Sequence, residues 1–212
     1  MPHSFGAYLI LYIMVDLFNY TRRASSVAHI GAIDLGGDNP IRIQSMTTTN
    51  TNDTEACVRQ AEEIIKTGGE LVRFTTQGSR EAENMKNINA GIRADGYQTP
   101  LVADVHFNPN VADVAALYCE KVRVNPGNYV DPARKFIKQE YTDEEYAHEL
   151  QKIEDRFVPF LNICKEHHTA IRIGVNHGSL SDRIRNRYGD TPEGIVESCL
   201  EFLRICKKEN FH

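Results

Sequence analysis

The chain has 212 residues, is 41% hydrophobic and carries a formal net charge of −5, with a pI near 5.9. That composition supports one sizeable core and excludes both a disordered chain and the broad basic footprint of a nucleic-acid binder. Its five cysteines, Cys57, Cys119, Cys164, Cys199 and Cys206, contain no C-x-x-C pair, which suits buried thiols in a reducing compartment, and so a cytoplasmic protein, more than a disulfide framework or a self-contained metal site.

The first apolar run, Tyr8 to Val15, is too short to span a bilayer. It also lacks the basic n-region and small-residue cleavage site of a secretory signal. Residues 1–21 are therefore expected to form an N-terminal extension outside the core, with Met14 as an alternative start. Beyond residue 40, strand and helix signals alternate. Strand 41–46 is followed by a cap-like pair, Asn52 and Glu55, and by Cys57, Ala61, Ile64 and Ile65 at helical spacing up to Gly68-Gly69. Strand 70–75 precedes a helix from about Ser79 that buries Ala82, Met85, Ile88 and Ile92. After strand 100–105, Asn108-Pro109 opens a helix in the order cap, then proline, and strand 121–124 follows.

A longer crossover starts with the capping box Thr142-Asp143-Glu144-Glu145 and continues as an amphipathic stripe, Tyr146, Leu150, Ile153, Phe157, Phe160 and Cys164, before strand 169–174. Thr191-Pro192 starts a last helix, with Val196, Cys199, Leu203 and Cys206 expected to face inward. Arg183, Arg185 and Arg187, like His167 and His168, are expected at the solvated surface.

Three of the strand runs carry an arginine where a core strand should be apolar: Arg73 in Leu71-Val72-Arg73-Phe74, Arg123 in Lys121-Val122-Arg123-Val124 and Arg172 in Ala170-Ile171-Arg172-Ile173. A buried, unpaired guanidinium costs several kcal/mol, so three of them imply a shared anionic partner or a polar cavity. Because side chains alternate along a strand, Asn125 shares a face with Arg123, Gly174 and Asn176 share one with Arg172, Asp104 pairs with His106, and Gln44 pairs with Met46. A glycine at position 174 leaves room for something to approach the backbone. His106 is read either as part of the site or as a core histidine orienting Asp104, and Gln44 and Thr47 as residues that only satisfy the rim.

Repeated β-α units with short connections give an α/β fold with a parallel sheet covered by helices. Polar residues at the ends of many successive strands point to a (β/α)8 TIM barrel, whose site lies at the C-terminal rim, rather than to a doubly wound sheet with one phosphate loop. A whole barrel needs roughly 250 residues, so the expectation is an incomplete (β/α)8 barrel of about the first five β-α units, over residues 22–212.

The runs Ile43-Gln44-Ser45-Met46-Thr47, Leu101 to Phe107, Arg123-Val124-Asn125-Pro126-Gly127-Asn128 and Ile171 to Leu180 closely resemble the 4-hydroxy-3-methylbut-2-enyl diphosphate synthase family. The segment Tyr129 to Thr169 resembles the larger plant and bacterial form, which has an additional middle domain. The resemblance implies an oxidoreductase of non-mevalonate isoprenoid (terpenoid) biosynthesis that reductively opens 2-C-methyl-D-erythritol 2,4-cyclodiphosphate. It implies electrons delivered from ferredoxin or flavodoxin through a 4Fe-4S iron-sulfur cluster held by a C-terminal domain, and a homodimer when complete. By the same resemblance, Arg73, Arg123 and Arg172 bind the diphosphate, with Asp104, His106, Asn125 and Asn176 as neighbouring polar groups. A guanidinium fork fits phosphate oxygens and keeps its charge in a closed site.

The middle domain, the cluster cysteines and a lysine on a later strand, which the family carries further along, have no counterpart in these residues. The chain alone is therefore expected to bind no cluster, metal, nucleic acid or membrane and to have no catalytic residue or turnover of its own. The alternatives are a non-catalytic anion-binding fragment and another anion-handling barrel such as a pterin-binding synthase.

Overall fold

The computed structural model describes residues 23–131 and 140–212. The N-terminal extension, with its Tyr8 to Val15 run, lies outside the described residues. The described chain opens with an antiparallel hairpin of β1 (Val27–Ile30) and β2 (Ile33–Gly36). A parallel sheet follows, made of β3 (Gln44–Met46), β4 (Leu71–Thr76), β5 (Leu101–Val105), β6 (Lys121–Val124) and β7 (Ala170–Ile173). Between and after the strands run α1 (Thr54–Lys66), α2 (Ser79–Ala94), α3 (Pro109–Ala116), α4 (Asp143–His167), α5 (Asp182–Tyr188) and α6 (Pro192–Lys208).

The strands lie side by side in chain order, β3-β4-β5-β6-β7, all parallel. A doubly wound sheet reverses its strand order at a switch point, whereas a barrel winds steadily in one direction. The steady order observed is that of the barrel.

Strand parity divides the sheet chemically. Val72, Phe74, Leu101, Ala103, Val122 and Val124 turn outward and pack with Met85, Ile88 and Ile92 of α2 and Phe157 and Phe160 of α4 in the main core. Arg73, Asp104, Lys121, Arg123 and Arg172 occupy the opposite, inner face. At the N-terminal end of the strands, Ile30 from the hairpin packs on Leu71 and Val102 and closes the floor of that inner face.

The helix boundaries follow local chemistry. Thr142 and Glu145 form the expected capping box of α4, and Asn108 and Thr191 cap α3 and α6 ahead of their prolines. The cap of α1 is Asp53, which accepts from the Ala56 N–H, rather than Asn52.

Several expectations are corrected. The hairpin β1–β2 was not anticipated from sequence. β3 begins at Gln44 because Glu70 reaches across to accept from the Ile43 N–H and from Arg42, and Ile41 and Ile43 stay exposed. On α6 the inward face is Ser198, Glu201, Phe202, Ile205 and Cys206, while Val196 and Leu203 are 55% and 44% exposed. The inward register is set by Arg183, which is no surface residue. It is 2% exposed and donates to both oxygens of Glu201 at 2.7 and 2.8 Å and to Asp131 at 3.1 and 3.2 Å. The Tyr146 hydroxyl completes the cluster with a 2.5 Å bond to Glu201, and Arg183 lies over its ring. Burial opposes the Arg183 charge, but the Glu201 hydrogen bonds and the two carboxylates outweigh it and raise its pKa.

Candidate functional site on the inner face of the sheet

Register places Arg73 of β4 beside Val102 of β5, and Val102 beside Lys121 of β6. One level nearer the C-terminal rim, Asp104, Arg123 and Arg172 adjoin in turn on β5, β6 and β7. Above them the strands end in His106, Asn125 and Gly174, followed by Asn176. The sequence-predicted residues are thus brought to one face and one end of the sheet.

Asp104 is the hub. Its carboxylate accepts from Arg73, from Arg123 Nη1 at 3.1 Å and from His106 Nε2 at 3.1 Å. Burial pushes its pKa up, but the His106 hydrogen bond and the Arg73 charge prevail and hold it below the usual carboxylate range. His106 therefore contacts both Asp104 and Arg123, at 3.3 Å from the latter's Nη1. The Arg123 guanidinium lies across the next strand and donates through Nη2 to the Gly174 carbonyl at 2.5 Å. Gly174 is needed for that approach, since a Cβ there would stand 1.9 Å from Arg123 Nε. The group that the glycine admits is thus a side chain of the site itself. Burial is the largest influence on Arg123 and lowers its pKa, with Asp104 opposing.

The two asparagines shape the rim. Asn125 Oδ1 accepts from the Gly127 N–H at 3.2 Å, and its Nδ2 donates to Ser179 Oγ at 2.8 Å. A Cβ on Gly127 would meet the Ser179 carbonyl at 1.7 Å, so the loops after β6 and β7 are in direct backbone contact. Asn176 repeats the turn by accepting from the Gly178 N–H at 2.9 Å but is exposed at the mouth. Thr47 is buried and bonded to the Arg73 carbonyl, a structural role, whereas Gln44 is exposed.

What the arrangement lacks is negative charge. Asp104 is shared by Arg73 and Arg123. Arg172 has no ion-pair partner among the described residues, and Arg73 Nε is buried without a hydrogen bond. Sequence reasoning passed over Lys121, although parity with Arg123 places it on the same face. It also did not foresee the Ser179 hydroxyl as the partner of Asn125.

The cysteines do not fit an iron-sulfur cluster. Burial raises the thiol pKa of Cys57, Cys119, Cys164, Cys199 and Cys206, whereas cluster ligation needs thiolates. Among the described residues no group of three or more His, Cys, Asp or Glu side chains is placed to hold a metal ion. No described helix is long and apolar enough to cross a membrane.

A family model described as the GcpE TIM-barrel domain matches residues 25–212. Among curated proteins, the 4-hydroxy-3-methylbut-2-en-1-yl diphosphate synthase (flavodoxin) of Phocaeicola vulgatus is 75% identical over 198 residues, covering 93% of this chain and 32% of that protein. The protein of that name from Bacteroides thetaiotaomicron is 75% identical over 197 residues, with coverage of 93% and 32%. That of Akkermansia muciniphila is 50% identical over 195 residues, with coverage of 92% and 33%. The chain spans about a third of the length of these curated relatives.

Proposed function

The chain belongs to the family of the GcpE TIM-barrel domain, and we propose from that membership that it is the substrate-holding barrel portion, residues 22–212, of a 4-hydroxy-3-methylbut-2-enyl diphosphate synthase. Its ligand is 2-C-methyl-D-erythritol 2,4-cyclodiphosphate, held through the diphosphate by Arg73, Arg123 and Arg172. Asp104 and His106 hold Arg73 and Arg123, and Asn125 and Asn176 line the mouth. In the whole enzyme the ring is opened by a two-electron reduction, with the electrons passing from flavodoxin or ferredoxin through a 4Fe-4S cluster. That cluster belongs to residues other than these, and this chain alone has no turnover. The complete enzyme works as a cytoplasmic homodimer.

One observation carries the reading: Asp104 is shared by two guanidiniums, Arg73 and Arg123, and a third, Arg172, lies beside Arg123 on the same face at the C-terminal end of a parallel sheet. That excess of positive charge, half-buried at Arg73, buried at Arg123 and exposed at Arg172, suits a diphosphate, and Asp104 and the Gly174 carbonyl hold Arg123 in place before any ligand arrives. The pterin-binding alternative is not adopted, because the sequence match to the GcpE domain runs through residues 25–212.

The test is calorimetric titration of the cyclodiphosphate into the 1–212 chain and into Arg73→Ala, Arg123→Ala and Arg172→Ala. Each substitution should weaken binding by about 1.5–3 kcal/mol, as for a charged hydrogen bond. Unchanged affinity in all three variants refutes the assignment.

A further inference from the structure

Below the rim the inner face holds a cation that the reading above leaves unused. Lys121 is the first residue of β6 and is 8% exposed. It borders a cavity of about 550 Å³ whose lining also includes Arg42, Gln44 and Arg172. Among the described residues no carboxylate lies within ion-pair distance of its ammonium. Its register neighbours are the apolar Val102 on β5 and Ala170 on β7. The charged groups that bear on it, Arg172 from β7 and Arg73 from β4, are both positive. Arg42, the remaining cation of the cavity wall, is already paired with Glu70 at 2.8 Å. A buried ammonium among like charges costs several kcal/mol unless a counter-charge arrives.

Two features favour a small anion as that counter-charge. Among the described residues Arg172 also has no ion-pair partner, and it is exposed at the wall of the same cavity. Arg73 and Arg123, by contrast, already share the Asp104 carboxylate. We infer that Lys121 and Arg172 form a second, inner anion position that accepts a phosphate-class group. This rests on the diphosphate-binding reading and deepens it: one phosphoryl group of the ligand is held at the rim by Arg123, and the other by Arg172 and Lys121.

Burial first, and then the Arg172 and Arg73 charges, lower the Lys121 pKa. An arriving anion reverses that balance. Binding at alkaline pH therefore draws a proton onto the lysine, and the uptake appears as a dependence of the calorimetric heat on the ionisation enthalpy of the buffer.

The experiment titrates inorganic pyrophosphate into the 1–212 chain and into Lys121→Gln and Lys121→Arg. Lys121→Gln should weaken pyrophosphate by roughly 10- to 100-fold, a charged hydrogen bond's worth, and abolish proton uptake. Lys121→Arg should restore most of the affinity without the uptake. In the absence of anion, Lys121→Gln should melt at or above the wild-type temperature, because it removes an uncompensated buried charge. If the wild type binds pyrophosphate and Lys121→Gln binds it equally, the inner position is refuted while the rim arginines stand. A Lys121→Gln chain that melts well below wild type without anion shows a protein partner for the lysine and also overturns the inference. No pyrophosphate binding by the wild type removes the inner position and the diphosphate reading together.

Discussion

Replacing Arg183 by methionine tests the buried cluster that joins α4, α5 and α6. The guanidinium makes two bonds to Glu201 at 2.7 and 2.8 Å and two to Asp131 at 3.1 and 3.2 Å. Glu201 is 4% exposed, and the Asp131 side chain is 7% exposed. Methionine fills much of the same volume but leaves two carboxylates without a counter-charge. Breaking a buried pair in this way costs about 3–5 kcal/mol. At roughly 2–4 °C of melting temperature per kcal/mol for a chain of this size, the loss should lie between about 6 and 20 °C. Circular-dichroism melts of the chain with and without the substitution measure it. Arg185→Met serves as control, since its partner Asp190 is at the surface, and it should cost under about 1 kcal/mol. The double variant Arg183→Met/Glu201→Met should be less destabilised than the sum of its parts. An Arg183→Met chain that melts within about 2 °C of wild type would refute the view that this cluster sets the register of α6.

Tyr129→Phe should be neutral or stabilising by about 1 kcal/mol in urea unfolding, because the hydroxyl is buried among Phe157, Phe160 and Phe202 without a hydrogen bond. Gly174→Ala should displace the Arg123 guanidinium and lower both stability, by about 1–3 kcal/mol, and anion affinity, read by melts and calorimetry. The Asp104 pKa is depressed in the fold, so its contribution is present above the unfolded value near 4 and is lost as pH falls through the folded value. The stability gap between wild type and Asp104→Asn in urea should accordingly be largest near neutrality and narrow on acidification.

The parts of this structure that depend on local pattern were legible in the sequence. The period-2 runs of β4 to β7, the Thr142 capping box and the caps before Pro109 and Pro192 each express themselves within a few residues. Parity along β6 and β7 also sufficed to gather Arg123, Asn125, Arg172 and Asn176 at one end. What escaped depends on distant partners. Arg183 sits in a stretch with Arg185 and Arg187 that reads as surface, and its carboxylates lie 52 and 18 residues away. Once Arg183 is buried, α6 must turn Glu201 inward, which rotates Val196 and Leu203 out. The hairpin β1–β2 has only Ile30 buried among its eight residues, too weak a pattern to register as strand. Asn125 appeared as a ligand-side group, yet its amide is largely committed to Gly127 and Ser179, a bond across 54 residues.

The most direct test of the central claim is a crystal structure of the chain soaked with 2-C-methyl-D-erythritol 2,4-cyclodiphosphate. The account predicts phosphate oxygens within hydrogen-bond reach of Arg123 and Arg172, on the inner face of the sheet at the C-terminal end of β6 and β7. Ligand bound elsewhere, or an inner face that stays free of it at saturating concentration, would contradict it.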